Sequence, residues 1–207
     1  RGLFMEDEEL LRKAIAEIDD EIKVTSEEGI QEDWSFHQHG PQIQLGNYGL
    51  AFADNVSFWM RVFKGTSYQF SRDKIKIIEN YVRKGLSWAF WRGVMDHNYR
   101  GRQPFYDSGP GKAYAFAVVA ENLADALNDS FFKQLALSNL EPEKHGNTLV
   151  GAKFFPRSDC GIYRAQDWYA SIRMHSERTI GFERTNAENT PSNFSADGAL
   201  LIMKDGP

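Results

Sequence analysis

Near residue 145 the apolar residues stop recurring at helical spacing and begin to alternate, so the chain reads as helices first and strands second. Before the switch, Leu11, Ile15, Ile18 and Ile22 fall at spacings of four, three and four, one face of an amphipathic helix with Glu8, Glu9, Arg12, Lys13 and Asp19 on its other sides. Leu50 to Phe63 is apolar on most sides, with Asp54 and Arg61 its only charges, and reads as a buried helix. Ser71 is placed to cap a third helix bearing Ile75, Ile78, Val82 and Leu86, and Ala113 to Leu127 is a fourth candidate. After Glu143, three short runs of β-formers lie between Gly, Pro, Asn and Asp: Thr148 to Phe155, Trp168 to His175 and Ala199 to Met203. In the second, Trp168, Ala170, Ile172 and Met174 alternate with Tyr169, Ser171, Arg173 and His175. Helices followed by strands suggest two domains, residues 1–144 and 145–207, the second too short to be complete.

Composition narrows the class of partner. Hydrophobic residues at 42% can build a core, and a net charge of −5 opposes a general nucleic-acid binder. An anionic ligand is still compatible with it, because a local basic cleft can act within a negative protein. No run of about 18 apolar residues is present, so no membrane span is expected. The single cysteine, Cys160, leaves the compartment open and reads as a structural or incidental thiol. The chain begins at Arg1 and stops at Pro207 just after an apolar run, and it reads as a piece of a longer protein. The lack of an export signal therefore carries no weight.

Between the first two helices, Trp34-Ser-Phe-His-Gln-His-Gly-Pro-Gln-Ile-Gln-Leu-Gly-Asn-Tyr-Gly49 gathers two histidines, several amides, aromatics and glycines. Composition alone makes His37 and His39 ordinary surface or hydrogen-bonded histidines and Tyr48 a core aromatic. As a metal site the segment is poor, because His-x-His has no carboxylate or cysteine set at ligand spacing beside it.

The order of these residues is more specific, and it resembles polysaccharide lyase family 8, the chondroitin AC, hyaluronate and xanthan lyases. Three motifs carry the resemblance. In Gln38-His39-Gly40-Pro41-Gln42 followed by Asn47-Tyr48-Gly49, His39 precedes Tyr48 by nine residues, as the family's catalytic histidine precedes its tyrosine. Met95-Asp96-His97-Asn98-Tyr99-Arg100-Gly101-Arg102 is similar to the segment whose last arginine binds substrate, which carries over to Arg102. Ile172-Arg173-Met174-His175-Ser176-Glu177-Arg178-Thr179 leads to Glu183 and Asn186. Two departures stand out: Tyr106 occupies the place of a frequent second arginine, and the family's catalytic asparagine would lie upstream of Leu10, in sequence preceding Arg1.

The resemblance implies an α+β multidomain fold, an incomplete (α/α) toroid followed by the start of an antiparallel β-sandwich. It also implies β-elimination at a uronate of chondroitin or hyaluronan, with no cofactor or metal and an anionic polysaccharide as partner. Removing the C5 proton places charge on the uronate carboxylate, and one well-aimed donor to such charge is worth ~3 kcal/mol, the role that suits His39. Tyr48 is the candidate base or acid. A phenol ionises only near ~10, so the base role needs a cation beside it, and Arg102 is the candidate. Arg102 can also fork onto carboxylate or sulfate, and Glu183 would orient Arg102 or the histidine. Trp34, Gln42, Asn47 and Asn186 are candidate substrate contacts, Trp34 by stacking on a sugar ring. Trp88, Phe90 and Trp91 read as core, His175 as structural, and Asp159 and Arg164 each as a residue with an interdomain salt-bridge role.

Other readings are a lyase for another uronate polymer such as xanthan, and a non-catalytic carbohydrate-binding relative. A secreted or periplasmic bacterial location is expected. Half a toroid would leave apolar helix faces uncovered, so the isolated chain is expected to be inactive or to aggregate.

Overall fold

The computed structural model describes residues 2–103, 108–174, 176–180 and 197–204. After a short helix, α1 (Gly2–Met5), the Asp7 carboxylate accepts from Leu10 N at 3.0 Å and starts α2 (Glu8–Glu21). Its stripe of Leu11, Ile15 and Ile18 is only half covered, and Ile22 just past its end is the first fully buried residue of the series.

The stretch expected as plain loop holds more structure than its glycines suggest. Strand β1 (Gly29–Ile30) pairs antiparallel with β2 (Phe36–His37), and a π-helical turn, Leu45–Gly49, feeds directly into α3 (Leu50–Phe63). Ile30, Phe36, Ile43 and Leu45 turn inward and anchor the segment in the core. Helix α3 has the expected span but not the expected burial: Phe58 is 41% exposed and Val62 43%. Ser71 caps α4 (Arg72–Lys84) as expected, and its Ile78, Tyr81 and Val82 are buried.

Short strands β3 (Phe90–Trp91) and β4 (Val94–Met95) form a hairpin, and α5 (Ser108–Leu127) begins five residues before the apolar pattern does. Helix α5 packs between α3 and α6 (Ser130–Leu140), a helix that the spacing analysis does not single out. The Phe116 ring stacks on Phe90 at 4.2 Å, so the aromatics Phe90 and Trp91 are core, as read from the sequence. A last short helix, α7 (Pro142–His145), ends the helical part. Among the described residues, no helix is long and apolar enough to cross a membrane.

Four antiparallel strands follow in the order β5 (Gly151–Phe155), β6 (Cys160–Arg164), β7 (Trp168–Arg173) and β8 (Ala199–Lys204). Helices therefore precede an antiparallel sheet, the expected fold class. Strand β6 lacks a clear sequence signal, because glycine and arginine interrupt its apolar pattern.

The sheet is oriented against simple hydrophobicity. Tyr169, Ser171 and Arg173 of β7 are buried, while Trp168 and Ile172 on the more apolar face are exposed, as are Leu200 and Ile202 of the neighbouring strand. Burial of the polar face is possible because the 95–102 segment supplies hydrogen-bond partners for it. Tyr169 donates to Asp96 at 2.6 Å, Asn98 donates to Ser171 at 3.0 Å, and Arg173 donates to the Asn98 carbonyl at 3.0 Å.

An interdomain salt bridge was expected of Asp159 and of Arg164, and neither makes one among the described contacts. Arg164 does reach the helical part, but through the Ser87 carbonyl at 3.0 Å, and Asp159 instead pairs with Arg178 beyond β7. Burial pulls the Arg164 guanidinium down to about 10, so neutral carbonyl partners suit that site. His175 lies outside the described residues.

Candidate functional site

Two loops of the helical part meet at the site, and each is shaped by a glycine where backbone passes close to a neighbour. A side-chain carbon at Gly46 would stand 2.3 Å from Met95 Sδ and 3.0 Å from Arg100 Cα, so the turn carrying Tyr48 can lie against the 95–102 segment only with glycine there. Gly101 has φ +63° and would place such a carbon 1.8 Å from Gln44 Oε1. Arg102 leaves this tight turn, and its Nη1 donates to Tyr48 Oη at 2.9 Å. Its guanidinium carbon lies 5.5 Å from the centre of the Tyr48 ring.

His39 approaches from the other side. Its ring meets the Tyr48 ring edge-on, with centres 5.0 Å apart and planes at 71°. The residue is exposed and has φ +59°, a left-handed conformation that histidine tolerates better than most side chains. The Glu28 carboxylate holds the turn, accepting from Gln38 Nε2 at 2.5 Å and from Gly40 N at 3.1 Å. The other histidine of the motif, His37, is buried and shares a 2.9 Å hydrogen bond with Ser158 Oγ. Burial pulls its imidazole below the usual histidine range; the Asp33 carboxylate opposes this, the Arg157 charge adds to it, and a hydrogen bond with the Arg157 backbone opposes it.

His39, Tyr48 and Arg102 are thus brought together. Trp34, at φ +68° in the turn between β1 and β2, packs against the end of α4, with Lys84 Nζ 5.7 Å from its ring. Gln42 is 1% exposed and lies beneath the His39 turn, where its backbone N–H donates to the Gly40 carbonyl at 2.8 Å. Asn47 is half-buried, and its Nδ2 has no hydrogen-bond partner among the described residues. Glu183 and Asn186 lie outside the described residues. Sequence reasoning missed Glu28 and Lys112. Lys112 Nζ donates to the Gly46 carbonyl at 2.6 Å and to Gln103 Oε1 at 3.0 Å. Neither residue belongs to a motif, and only the fold brings them to the two loops.

Comparison with solved structures defines the class of fold. The chain aligns over its whole length with 31% of a chondroitinase AC lyase solved with oligosaccharides, at 25% identity and a TM-score of 0.84. It also shares its fold with a Paenibacillus xanthan lyase, at 18% identity and a TM-score of 0.79, over 98% of this chain and 23% of that one. Residues 1–128 match the polysaccharide lyase family 8 N-terminal alpha-helical domain, and residues 150–207 match the family's super-sandwich domain. The chain belongs to polysaccharide lyase family 8. All of it aligns with the chondroitinase-AC of Pedobacter heparinus at 30% identity, and 99% of it with the hyaluronate lyase HylB of Enterococcus faecalis at 24%. It spans 30% and 24% of those two relatives.

Proposed function

We propose that the protein containing this chain cleaves a uronate-bearing glycosaminoglycan, chondroitin or hyaluronan, by β-elimination. The observation that carries the reading is the 2.9 Å hydrogen bond from Arg102 to the Tyr48 oxygen, with the His39 ring beside it. Tyr48 Oη, as the phenolate, takes the C5 proton of the uronate. The C5–H electron pair becomes the C4–C5 double bond, and the C4–O bond breaks with its pair on the leaving oxygen. That oxygen takes a proton in turn, from Tyr48, leaving a 4,5-unsaturated uronate at the new non-reducing end.

Arg102 donates to the oxygen that bears the charge, and a positioned acid–base group contributes about 10²–10⁴-fold. His39 donates to the uronate carboxylate as charge builds there, which makes the C5 proton easier to remove. In this scheme Glu183 orients Arg102 or His39, while Trp34, Gln42, Asn47 and Asn186 serve the polymer, Gln42 from beneath the turn. The scheme needs neither metal nor cofactor. Residues 1–144 then belong to a helical catalytic domain and 145–207 to the start of a sheet domain. The remainder of the polypeptide completes the site, and a polymeric substrate implies secretion or a periplasmic location in a bacterium.

The test is an assay of the full-length protein on chondroitin, hyaluronan and xanthan, following the ultraviolet absorbance of the unsaturated product. Absorbance growing on chondroitin or hyaluronan supports the proposal. Growth on xanthan alone would move the substrate class, and no growth on any uronate polymer would remove the activity.

A further inference from the structure

We infer that Lys112 is a positioning residue that locks the Tyr48 turn and the Arg102 turn into one rigid unit; the inference rests on the role proposed for Tyr48. Gly46 lies two residues before Tyr48, and Gln103 directly follows Arg102. The ammonium of Lys112 donates to both, at 2.6 Å to the Gly46 carbonyl and 3.0 Å to Gln103 Oε1. The hydrogen bond from Arg102 to Tyr48 joins the same two turns from the other end. The contacts close a ring that runs from Lys112 through Gly46 and Tyr48, across to Arg102 and Gln103, and back to Lys112.

The physical need for such a clamp lies in the glycines. Gly46 has no side chain with which to anchor the turn, and glycine has the most backbone freedom to lose on ordering. Lys112 supplies the anchor from the first turns of α5, a 20-residue helix packed against both α3 and α6. Among the described residues it donates to a carbonyl and to an amide oxygen, and hydrogen bonds from an ammonium are charge-assisted. Ser108 on the same helix reinforces the Arg102 side, donating to the Gln103 carbonyl at 3.1 Å and accepting from Arg100 Nη1 at 3.3 Å. Lys112 acts on the reaction through the loops: small errors in placing a reacting oxygen are expensive in rate.

The test compares Lys112→Met and Lys112→Arg with wild type in the full-length protein. In Lys112→Met, kcat on chondroitin falls about tenfold while KM stays within about twofold, as loss of a charge-assisted contact to a positioning element predicts. Lys112→Arg recovers most of the rate. Hydrogen exchange needs no substrate: in Lys112→Met, peptides covering 45–52 and 99–103 exchange faster, and the sheet does not. Unchanged exchange in both peptides would overturn the inference, as would an unaltered kcat in an active enzyme. If the wild type cleaves no polymer, the proposed activity fails by itself and the exchange result alone decides the clamp.

Discussion

The segment 95–102 faces two environments, and the contrast between them separates side chains that join the sheet to the helices from those proposed to act on substrate. Asp96, Asn98 and Tyr99 are sealed against the sheet. Asp96, Tyr99, Tyr169 and Arg173 are at most 2% exposed, and Asp96 Oδ2 accepts from Tyr169 at 2.6 Å while its Oδ1 accepts from Asn98 N at 2.8 Å. Tyr99 closes the set on the Gly161 carbonyl at 3.2 Å. Burial raises the Asp96 carboxyl and pushes both phenols well above their usual range, which leaves Tyr99 and Tyr169 as permanent donors. Six residues on, Arg102 is half-buried and meets a half-buried Tyr48 and an exposed His39. The same residue types serve stability where water is excluded and every partner is internal. They are available for chemistry where one side of the group stays open.

The largest effect expected from this contrast is on rate alone. Tyr48→Phe in the full-length protein lowers turnover by about 10²–10⁴-fold and leaves the melting temperature nearly unchanged. A variant that keeps full elimination activity would refute the tyrosine role. Asp96→Ala strikes the other half: removing one member of a buried charged network costs about 3–5 kcal/mol, read as a lower urea midpoint. A shift under about 1 kcal/mol would mean that the Asp96 network contributes little to holding the helical part on the sheet.

Glu28→Gln sits between the two regions, because the exposed carboxylate holds the His39 turn from outside. We expect kcat to fall about threefold with no change in unfolding, since an exposed hydrogen bond is worth at most about 1 kcal/mol. A fall matching that of Tyr48→Phe would break the distinction between holding a group and being one.

The smallest effect is in pH. His37 is held below the usual histidine range, so between its folded value and ~6.5 the unfolded chain binds the extra proton. Stability from this group is therefore full above ~6.5 and is lost as the pH falls below that. In His37→Gln, the fall in melting temperature between pH 7 and pH 5 becomes shallower, and an unaltered slope would show that His37 is not the group responsible.

Much of the helical part was legible before any fold was known. Residues at spacings of three and four marked α2, α4 and most of α5, and Ser71 marked its cap. Helix α6 also has a capping signal, Asp129 accepting from Phe131 N at 2.9 Å, but its run after Asn128 is too short for spacing alone to mark it. The order of His39, Tyr48 and Arg102 was enough to nominate the site.

By itself the sequence determined the order of helices and strands, the family, and the residue types that meet at the site, because these are properties of local spacing and motif order. Only the tertiary structure decided which face of β7 is buried. Tyr169, Ser171 and Arg173 turn inward because Asp96 and Asn98, some 70 residues away, satisfy or receive their polar atoms. It likewise decided that Glu28 and Lys112 make hydrogen bonds to the turns that carry His39 and Tyr48. A hydrogen bond depends on distance and direction in space, and residues 12 or 66 positions apart carry no sign of their meeting until the chain has folded.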